Sequence, residues 1–432
     1  TASFTPTDDS VYEGDETAVV SISGVSGGSA TESGTQSVTI TINENESAPT
    51  VTLTTSATSI DENSGSVLTL TATLSNATTA DVTVSIATSG TATEGTDYTD
   101  GSGNIDDIVI SAGNTSETIS FRPTDDSVYE GDETATISVS GVSGGSATES
   151  GTQEVSITIS ENESAPTITL AVSATSIAEN SASTLTLTAT SSVVADEDIT
   201  VSISTSGTAT EGTDYGTISD ITISAGDSTG TATFDPTDDS ISDVGETAAV
   251  AISSVSGADA TESGTQSVTI TINDNESTPT ITLTVSATSI AENAGSSLTL
   301  TATSSIVSGS DITVSLGTSS TATEGTDYGT VSDITISAGA TTGTTTFTPT
   351  DDSMYETSTN ETAIISIDGV SGGSATEDGT QSVTITITEN ESAPTVTLTT
   401  SATSIAENAG SSLTLTATLS GATDSAITVA LD

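Results

Sequence analysis

The sequence predicts an all-β protein, a tandem array of immunoglobulin-like β-sandwich domains in an extended chain. Apolar residues alternate with Thr or Ser, as in Val67–Leu74 and Val155–Ile159, and a period of two rich in β-branched residues is typical of half-buried strands. About seven such runs, separated by Gly, Asn and Ser clusters, fill each stretch of ~100 residues, which suits a two-sheet sandwich. The same order of runs returns along the chain, so the sandwich is predicted to repeat.

The repeats set the predicted domain boundaries. The string Ser-Ala-Thr-Ser-Ile marks each repeat and ends at Ile60, Ile177, Ile290 and Ile405. The resulting period of about 115 residues is too long for a solenoid unit and suits an independently folded domain. A polar cluster that ends in Pro separates the repeats. Pro has no N–H to donate, so it fits the first residue of a strand. The predicted domains are whole at 49–165, 166–278 and 279–393, and partial at 1–48 (C-terminal strands) and 394–432 (N-terminal strands).

The composition argues against several classes of function. The 432 residues include 60 Asp and Glu but a single basic residue, Arg122, for a formal net charge of -59. Such a charge repels phosphates and anionic lipids, so we predict no nucleic-acid partner and no membrane insertion of this segment. Without Cys, His or Lys, Ser–His–Asp, Cys–His and Ser–Lys catalysis are unavailable, and we predict that the chain is not an enzyme. A glycosidase needs one cleft with two carboxylates, whereas here near-identical acidic loops recur in every domain.

The most distinctive motif is an acidic string that occurs four times. Each copy begins with Pro-Thr-Asp-Asp-Ser and continues with two further acids. So many carboxylates in one short loop repel one another unless a cation neutralises them. The acids that recur in 49–165 are Glu62, Asp97, Asp125, Asp126, Glu130, Glu133, Glu161 and Glu163. Because sandwich loops cluster at the two ends, these acids can converge on a calcium ion; a solvated acidic turn is the alternative interpretation.

These strings resemble the Calx-beta family. The matching pieces are Glu62, Gly95–Tyr98, Ile108–Gly113, and the pair Asp125 and Asp126 followed by Glu130 and Glu133. The resemblance covers the whole and the partial domains, and it implies an immunoglobulin-like sandwich that binds calcium at one end. The implied Ca²⁺ ligands are Asp8, Asp9, Glu13 and Glu16 in 1–48; Glu62, Asp97, Asp125, Asp126, Glu130 and Glu133 in 49–165; Glu179, Asp214, Asp238, Asp239, Asp243 and Glu246 in 166–278; and Glu292, Asp327, Asp351, Asp352, Glu356 and Glu361 in 279–393.

The expected function follows from the repeats and the resemblance together. We expect a calcium-binding, calcium-stiffened extracellular repeat region that acts as a stalk, an adhesin or a matrix fibre. The alternatives are a self-assembling extracellular filament subunit and a calcium-sensing regulatory module of a larger enzyme or transporter. The expected partners are calcium ions, further copies of the chain in a fibre or matrix, and a surface or glycan ligand. We expect an extracellular or cell-surface location in a prokaryote, and a longer array of which this sequence is a part.

Overall fold

The computed structural model describes residues 1–356, 360–408 and 410–432. Within those residues every regular element is a β-strand, which confirms the predicted all-β class. None of the described residues belongs to a helix long and apolar enough to span a membrane. For brevity, residues 1–48 are called the leading segment, 49–165 segment A, 166–278 segment B, 279–393 segment C, and 394–432 the trailing segment.

The strands are numbered in chain order. The leading segment has β1 Val11–Tyr12, β2 Glu16–Ser21 and β3 Ser37–Ile42. Segment A has β4 Thr50–Thr55, β5 Ser59–Asp61, β6 Leu68–Leu74, β7 Ala77–Thr78, β8 Val82–Gly90, β9 Tyr98–Thr99, β10 Ile108–Ile110, β11 Ser116–Pro123, β12 Val128–Tyr129, β13 Glu133–Ser143, β14 Thr148–Glu149 and β15 Glu154–Ser160.

The remaining segments repeat this order. Segment B has β16 Thr167–Val172, β17 Ser176–Ala178, β18 Leu185–Ser191, β19 Val194–Ala195, β20 Ile199–Gly207, β21 Ile221–Ile223, β22 Thr229–Phe234, β23 Ile241–Ser242, β24 Glu246–Ser256, β25 Thr261–Glu262 and β26 Ser267–Asn273. Segment C has β27 Thr280–Val285, β28 Ser289–Ala291, β29 Leu298–Ser304, β30 Val307–Ser308, β31 Ile312–Ser320, β32 Ile334–Ile336, β33 Thr342–Phe347, β34 Met354–Tyr355, β35 Asn360–Ser371, β36 Thr376–Glu377 and β37 Ser382–Thr388. The trailing segment has β38 Val396–Thr400, β39 Leu415–Leu419 and β40 Ala422–Thr423.

Each whole segment is a two-sheet sandwich. In segment A one sheet has the strand order β10-β8-β13-β15-β5 and the other has β14-β4-β6-β11-β9. The pairing is antiparallel except at one edge of each sheet, where β5 and β14 pair in parallel with their neighbours. Segments B and C keep a five-stranded sheet, β17-β26-β24-β20-β21 and β28-β37-β35-β31-β32, and face it with a four-stranded sheet, β22-β18-β16-β25 and β33-β29-β27-β36. The predicted tandem β-sandwich is therefore confirmed.

The core of each whole segment lies between its two sheets. Along β6 the apolar residues are buried and the Thr residues face outward, as the period of two requires. The largest buried side chain in segment A is Tyr98, whose ring stacks on Phe121 with centroids 4.7 Å apart. The same stack recurs in segments B and C, and each whole segment has its own buried apolar cluster.

Short parallel strand pairs join successive segments. The pairs are β1 with β7, β12 with β19, β23 with β30, and β34 with β40. The first strand of each pair lies within an acidic string, and the second lies in the following segment. The acidic loop of one segment therefore contacts the next segment directly, which sets the position of the site described below.

Candidate metal centre

The acidic loop of segment A is shaped by its own second Asp. The Asp126 side chain accepts a hydrogen bond from the Val128 N–H at 2.7 Å, which is how an Asp side chain closes a turn. The equivalent bonds in the other strings run from Val11 to Asp9, from Ile241 to Asp239, and from Met354 to Asp352. The second Asp of every pair thus fixes the backbone of the loop.

A second carboxylate ties this loop to the start of the segment. Glu62 follows β5 directly and is only 6% exposed. Its Oε1 accepts a hydrogen bond from the Asp126 N–H at 3.1 Å. Glu179 and Glu292 accept the same bond in segments B and C, at 2.9 and 3.0 Å. An acid early in the segment is therefore held beside a loop about 60 residues later, and only the sandwich brings the two together.

A third carboxylate comes from the end of the segment. Glu161 follows β15, and its Oε2 accepts hydrogen bonds from the N–H groups of Glu130 and Gly131 at 2.6 and 3.0 Å. Its Oε1 accepts a further bond from the Glu163 N–H at 2.8 Å. Glu44 and Glu389 make corresponding bonds in the leading segment and segment C. Charge-assisted bonds of this kind are strong, so this acid organises the loop.

These elements assemble the carboxylates into compact groups whose oxygens lie within 4.8 Å of one another. One kind of group joins the early acid to the acids that end the segment: Glu62, Glu161 and Glu163 in segment A, and Glu179, Asp274 and Glu276 in segment B. The other kind joins the middle acid to the loop: Asp97, Glu130 and Glu133 in segment A, and Asp214, Asp243 and Glu246 in segment B. In segment C the group is Glu292, Glu356 and Glu389.

In segment C the early acid, the middle acid, the loop acids and an acid after the last strand line one small cavity. Its volume is about 10 Å³, close to the least space that a single water-sized sphere occupies. Its lining includes five carboxylates, namely Glu292, Asp327, Glu356, Glu361 and Glu389. The leading segment has a larger and more open cavity of about 380 Å³, lined among others by Asp8, Asp9, Glu13, Glu16, Glu44 and Glu46. Residues 357–359 of the segment C loop lie outside the described residues.

The predicted ligands thus fall into three sets. In segments A and B the early acid lies in one compact group and the middle and loop acids lie in the other, and in segment C acids of all three kinds line one cavity. The second Asp of each pair shapes the turn, whereas the first Asp, at Asp125, Asp238 and Asp351, is exposed and outside the compact groups of the described residues. The acids after the last strand were not among the implied ligands, although their recurrence in every repeat was the signal for them.

Burial and mutual repulsion set the electrostatics of the site. Burial raises the pKa of Glu62 to about 7, although the hydrogen bond from the Asp126 N–H partly lowers it. Burial and then the charge of Asp97 raise the pKa of Glu130 to about 7 and that of Glu133 to about 8. Burial also raises the pKa of Glu246 and Glu361 to about 7 and that of Glu356 to about 8. These pKa values are raised because burial disfavours the charged carboxylate and neighbouring carboxylates add repulsion, with no positive charge nearby in the described part of the chain to offset either effect.

The donor set fits a calcium ion. Carboxylate oxygens are the hard donors that Ca²⁺ prefers, and about six to eight of them surround each ion. In each whole segment one buried carboxylate oxygen, Oε2 of Glu163, Glu276 or Glu391, has no hydrogen-bond partner among the described residues. A buried oxygen without a partner is costly unless something else satisfies it. Calcium would supply the missing positive charge to these groups.

Comparisons with known proteins identify the family of this chain. Among solved structures, the chain is similar to CBD12 from CALX1.2, with 15% identity, 51% of this chain and 99% of that chain covered, and a TM-score of 0.24. It is also similar to invasin, a bacterial integrin-binding protein, with 17% identity, 81% and 61% covered, and a TM-score of 0.26. A search of curated proteins finds no match. The family model for the Calx-beta domain matches residues 44–163, 161–276 and 274–391, and the chain therefore belongs to the Calx-beta domain family, as three tandem copies.

Proposed function

We propose that this chain is a calcium-binding repeat region that calcium stiffens, and that it serves as an extracellular stalk, adhesin or matrix fibre. Calx-beta domains are calcium-binding modules, and this chain has three of them in tandem. The proposal takes 49–165, 166–278 and 279–393 as the structural domains. The proposed ligands are the compact carboxylate groups of each whole segment, including the acids that follow the last strand.

The observation that carries the calcium proposal is the small cavity of segment C. Five carboxylates line a space of about 10 Å³. Five neighbouring anions around so small a space repel one another, whereas one divalent cation would attract them all. The buried Oε2 atoms without partners in each whole segment support the same ligand.

The position of the sites supports the stiffening role. Every acidic loop carries the strand that pairs with the following segment. An ion held by such a loop would fix its backbone, and the fixed backbone would restrict the tilt between neighbouring segments. Each of these strand pairings is only two residues long, and small interfaces between domains leave relative motion as the default when no ion is bound. A stiff, strongly acidic rod suits display or spacing outside a cell.

The test is calorimetry of the full chain in calcium and in a chelator. We expect a higher melting temperature in calcium, because binding to the folded state adds about 2.7 kcal/mol when free calcium is about 100 times Kd. A variant with Glu292→Gln, Asp327→Asn and Glu361→Gln should lose this gain in segment C alone. Glu154→Gln is the control, since Glu154 is exposed and lies at the opposite end of β15 from Glu161. Identical melting curves in calcium and chelator would refute the proposal.

Small-angle scattering tests the stiffening. The maximum dimension of the chain should be greater in calcium than in chelator, because restricted tilt keeps the segments extended. If calcium raises the melting temperature but the maximum dimension is the same in calcium and in chelator, calcium stabilises the array without stiffening it.

A further inference from the structure

The acidic loop of segment A places a tyrosine on segment B. The loop strand β12 pairs with β19, with Tyr129 opposite Ala195. The Tyr129 ring packs against the buried apolar cluster of segment B, and its hydroxyl donates a hydrogen bond to Oδ2 of Asp259 at 3.1 Å. The Tyr129 carbonyl in turn accepts a hydrogen bond from the Asp196 N–H at 3.2 Å. Tyr129 therefore contacts segment B through its backbone, its ring and its hydroxyl.

The rest of the junction between segments A and B is open. A cavity of about 610 Å³ lies between them, lined by Glu130 and Gly131 on one side and by residues such as Glu197 and Ser256 on the other. The pairing of β12 with β19 is two residues long. In so small an interface, one aromatic side chain with a large apolar area and a polar end carries much of the binding. The position of segment A on segment B therefore depends on Tyr129.

The surface that receives the preceding loop differs between the whole segments. In segment A, Thr78 lies opposite the loop residue, and a Cβ on Gly145 would lie 2.7 Å from the Thr78 side chain. In segment C, Ser308 holds the same place, and a Cβ on Gly373 would lie 2.3 Å from its Oγ. A side chain with a γ atom therefore fills this space in segments A and C, and glycine is needed beside it.

Segment B has a matched pair of alanines at these two positions. Ala195 replaces the hydroxyl residue, and Ala258 replaces the glycine. Both are buried in the cluster that the Tyr129 ring contacts. Ala258 and Asp259 have φ angles of 49° and 51°, in the left-handed region that favours glycine, so the Ala258 methyl is kept there at a conformational cost. Asp259, which accepts the Tyr129 hydroxyl, stands where segments A and C have serine.

The junction between segments B and C lacks the tyrosine contact. Ser242 stands at the place of Tyr129 and lies opposite Ser308. The Ser242 Oγ donates a hydrogen bond to Oδ2 of Asp274, an acid of its own segment, at 3.2 Å. Within the described residues, no apolar side chain of the segment B loop packs against the buried cluster of segment C. The B–C junction therefore depends on its two-residue strand pair without an aromatic anchor.

We infer that Tyr129, together with Ala195, Ala258 and Asp259 of segment B, forms a latch that holds segments A and B together without calcium, whereas the B–C junction is a hinge in the metal-free chain. This inference goes beyond the proposed calcium function, because neither the ring contact nor the hydroxyl bond includes a metal ion. It divides the array into a docked pair, A and B, and a neighbour, C, whose tilt is free until something else restricts it.

The experiment measures each junction separately within the full chain. The chain has no cysteine, so engineered pairs can carry spin labels without background. Thr118, Thr231 and Thr344 are exposed strand residues at equivalent positions, each three residues before the buried Phe. Labels at Thr118→Cys with Thr231→Cys report the A–B junction, and labels at Thr231→Cys with Thr344→Cys report the B–C junction. Pulsed electron spin resonance in chelator then gives the distance distribution across each junction.

In chelator the parent chain should show a narrow A–B distribution and a broad B–C distribution. Tyr129→Ser gives the A–B junction the residue found at the B–C junction, and it should broaden the A–B distribution to the B–C width. Tyr129→Phe keeps the ring and should lower the ratio of docked to undocked A–B junctions about tenfold, because a hydrogen bond to a charged acceptor is lost. Asp259→Ser, which introduces the serine of segments A and C, should match Tyr129→Phe.

The matched control is Tyr12→Ser, which removes the equivalent tyrosine from the leading segment and should leave both distributions unchanged. A Tyr129→Ser chain that keeps the narrow A–B distribution of the parent overturns the latch. A parent chain whose A–B and B–C distributions are equally broad in chelator overturns it as well. Because every measurement is made without calcium, these results do not depend on whether the proposed calcium function is correct.

Discussion

The interior and the acidic end of each whole segment follow different rules. The stacked Tyr and Phe rings lie 4.7 Å apart in all three segments, with interplanar angles of 23°, 24° and 29°. At the acidic end, by contrast, Glu130 of segment A is matched by Asp243 in segment B, and Glu161 is matched by Asp274. Despite these changes, segment B keeps both compact carboxylate groups.

The difference reflects what each region must satisfy. The stacked rings are the largest side chains of a close-packed core, so their geometry repeats even where a smaller core residue changes, as from Val51 in segment A to Ile168 in segment B. A group of carboxylates around a cation must supply oxygens within reach, and a side chain shorter by one methylene can do so if the backbone adjusts. A repeated aromatic stack with adjustable acidic ends would allow sites of graded affinity in an array of similar domains. Four predictions test this contrast, from the largest expected effect to the smallest.

The first prediction concerns the core. Phe121→Ala should destabilise segment A by about 3–5 kcal/mol, because Phe121 is fully buried and stacked on Tyr98. The loss should be the same in calcium and in chelator. Hydrogen exchange of the full chain, read by mass spectrometry, assigns the loss to segment A. The matched control is Phe4→Ala, since Phe4 occupies the same place in the repeat but is 45% exposed; a loss as large at Phe4 would contradict this account.

The second prediction concerns the acid that organises the loop. Glu161→Ala should destabilise segment A by about 1–3 kcal/mol in chelator, because the N–H groups of Glu130 and Gly131 lose their acceptor. The substitution should also remove the extra stability that calcium gives to segment A. Asp274→Ala should cost less in segment B, where the equivalent bond from the Asp243 N–H is longer, at 3.1 Å. Chemical unfolding followed by hydrogen exchange measures the free energy of unfolding of both variants. Equal losses of stability in Glu161→Ala and Asp274→Ala would argue against an adjustable acidic end.

The third prediction is a pH dependence confined to the acidic end. The pKa values of Glu62 and Glu130 are raised to about 7 and that of Glu133 to about 8, so the folded metal-free chain binds protons that the unfolded chain releases. Its stability should therefore fall as pH rises from about 4.5 to about 8. The Glu44 pKa, lowered to about 2 by backbone hydrogen bonds from Glu46 and Glu13, acts oppositely and costs stability as pH falls below about 4.5.

Chemical unfolding in chelator at fixed ionic strength checks this dependence. Saturating calcium should abolish the fall between pH 5 and pH 8, since the ion replaces the protons. The Phe121→Ala variant should show the same pH profile as the parent, displaced to lower stability. A metal-free chain whose stability is flat from pH 5 to pH 8 would show that the crowded carboxyls do not titrate in this range.

The smallest expected effect is at the turn of the acidic loop. Asp126→Asn should change the stability of metal-free segment A by less than about 0.5 kcal/mol, because the Asn side-chain oxygen can still accept the Val128 N–H. Asp126→Ala should cost about 1 kcal/mol through loss of that bond. Calorimetry of the two variants in chelator compares them. Equal costs would mean that the charge of Asp126, and not its turn geometry, matters to the fold.

The sequence by itself determined the strands, the repeat and the acidic loops. The alternation in Val67–Leu74 predicts a half-buried strand, and β6 lies there; the acidic string predicts a crowded loop, and its carboxyls have raised pKa values. These features are local, so a period of two and a cluster of like charges are visible without any knowledge of distant contacts.

Only the tertiary structure decided which acids meet. Glu62 lies beside Asp126 and Glu161 because two sheets fold over one core, and neither spacing nor composition fixes that convergence. Asp126 shapes the turn by accepting the Val128 N–H, whereas the Glu130 carboxylate joins Asp97 and Glu133, and the string itself does not distinguish these two roles. The pairing of β12 with β19 depends on a contact between segments. Such contacts join residues about 60 to 100 apart, where the path of the whole chain, and not the local pattern, sets the distance.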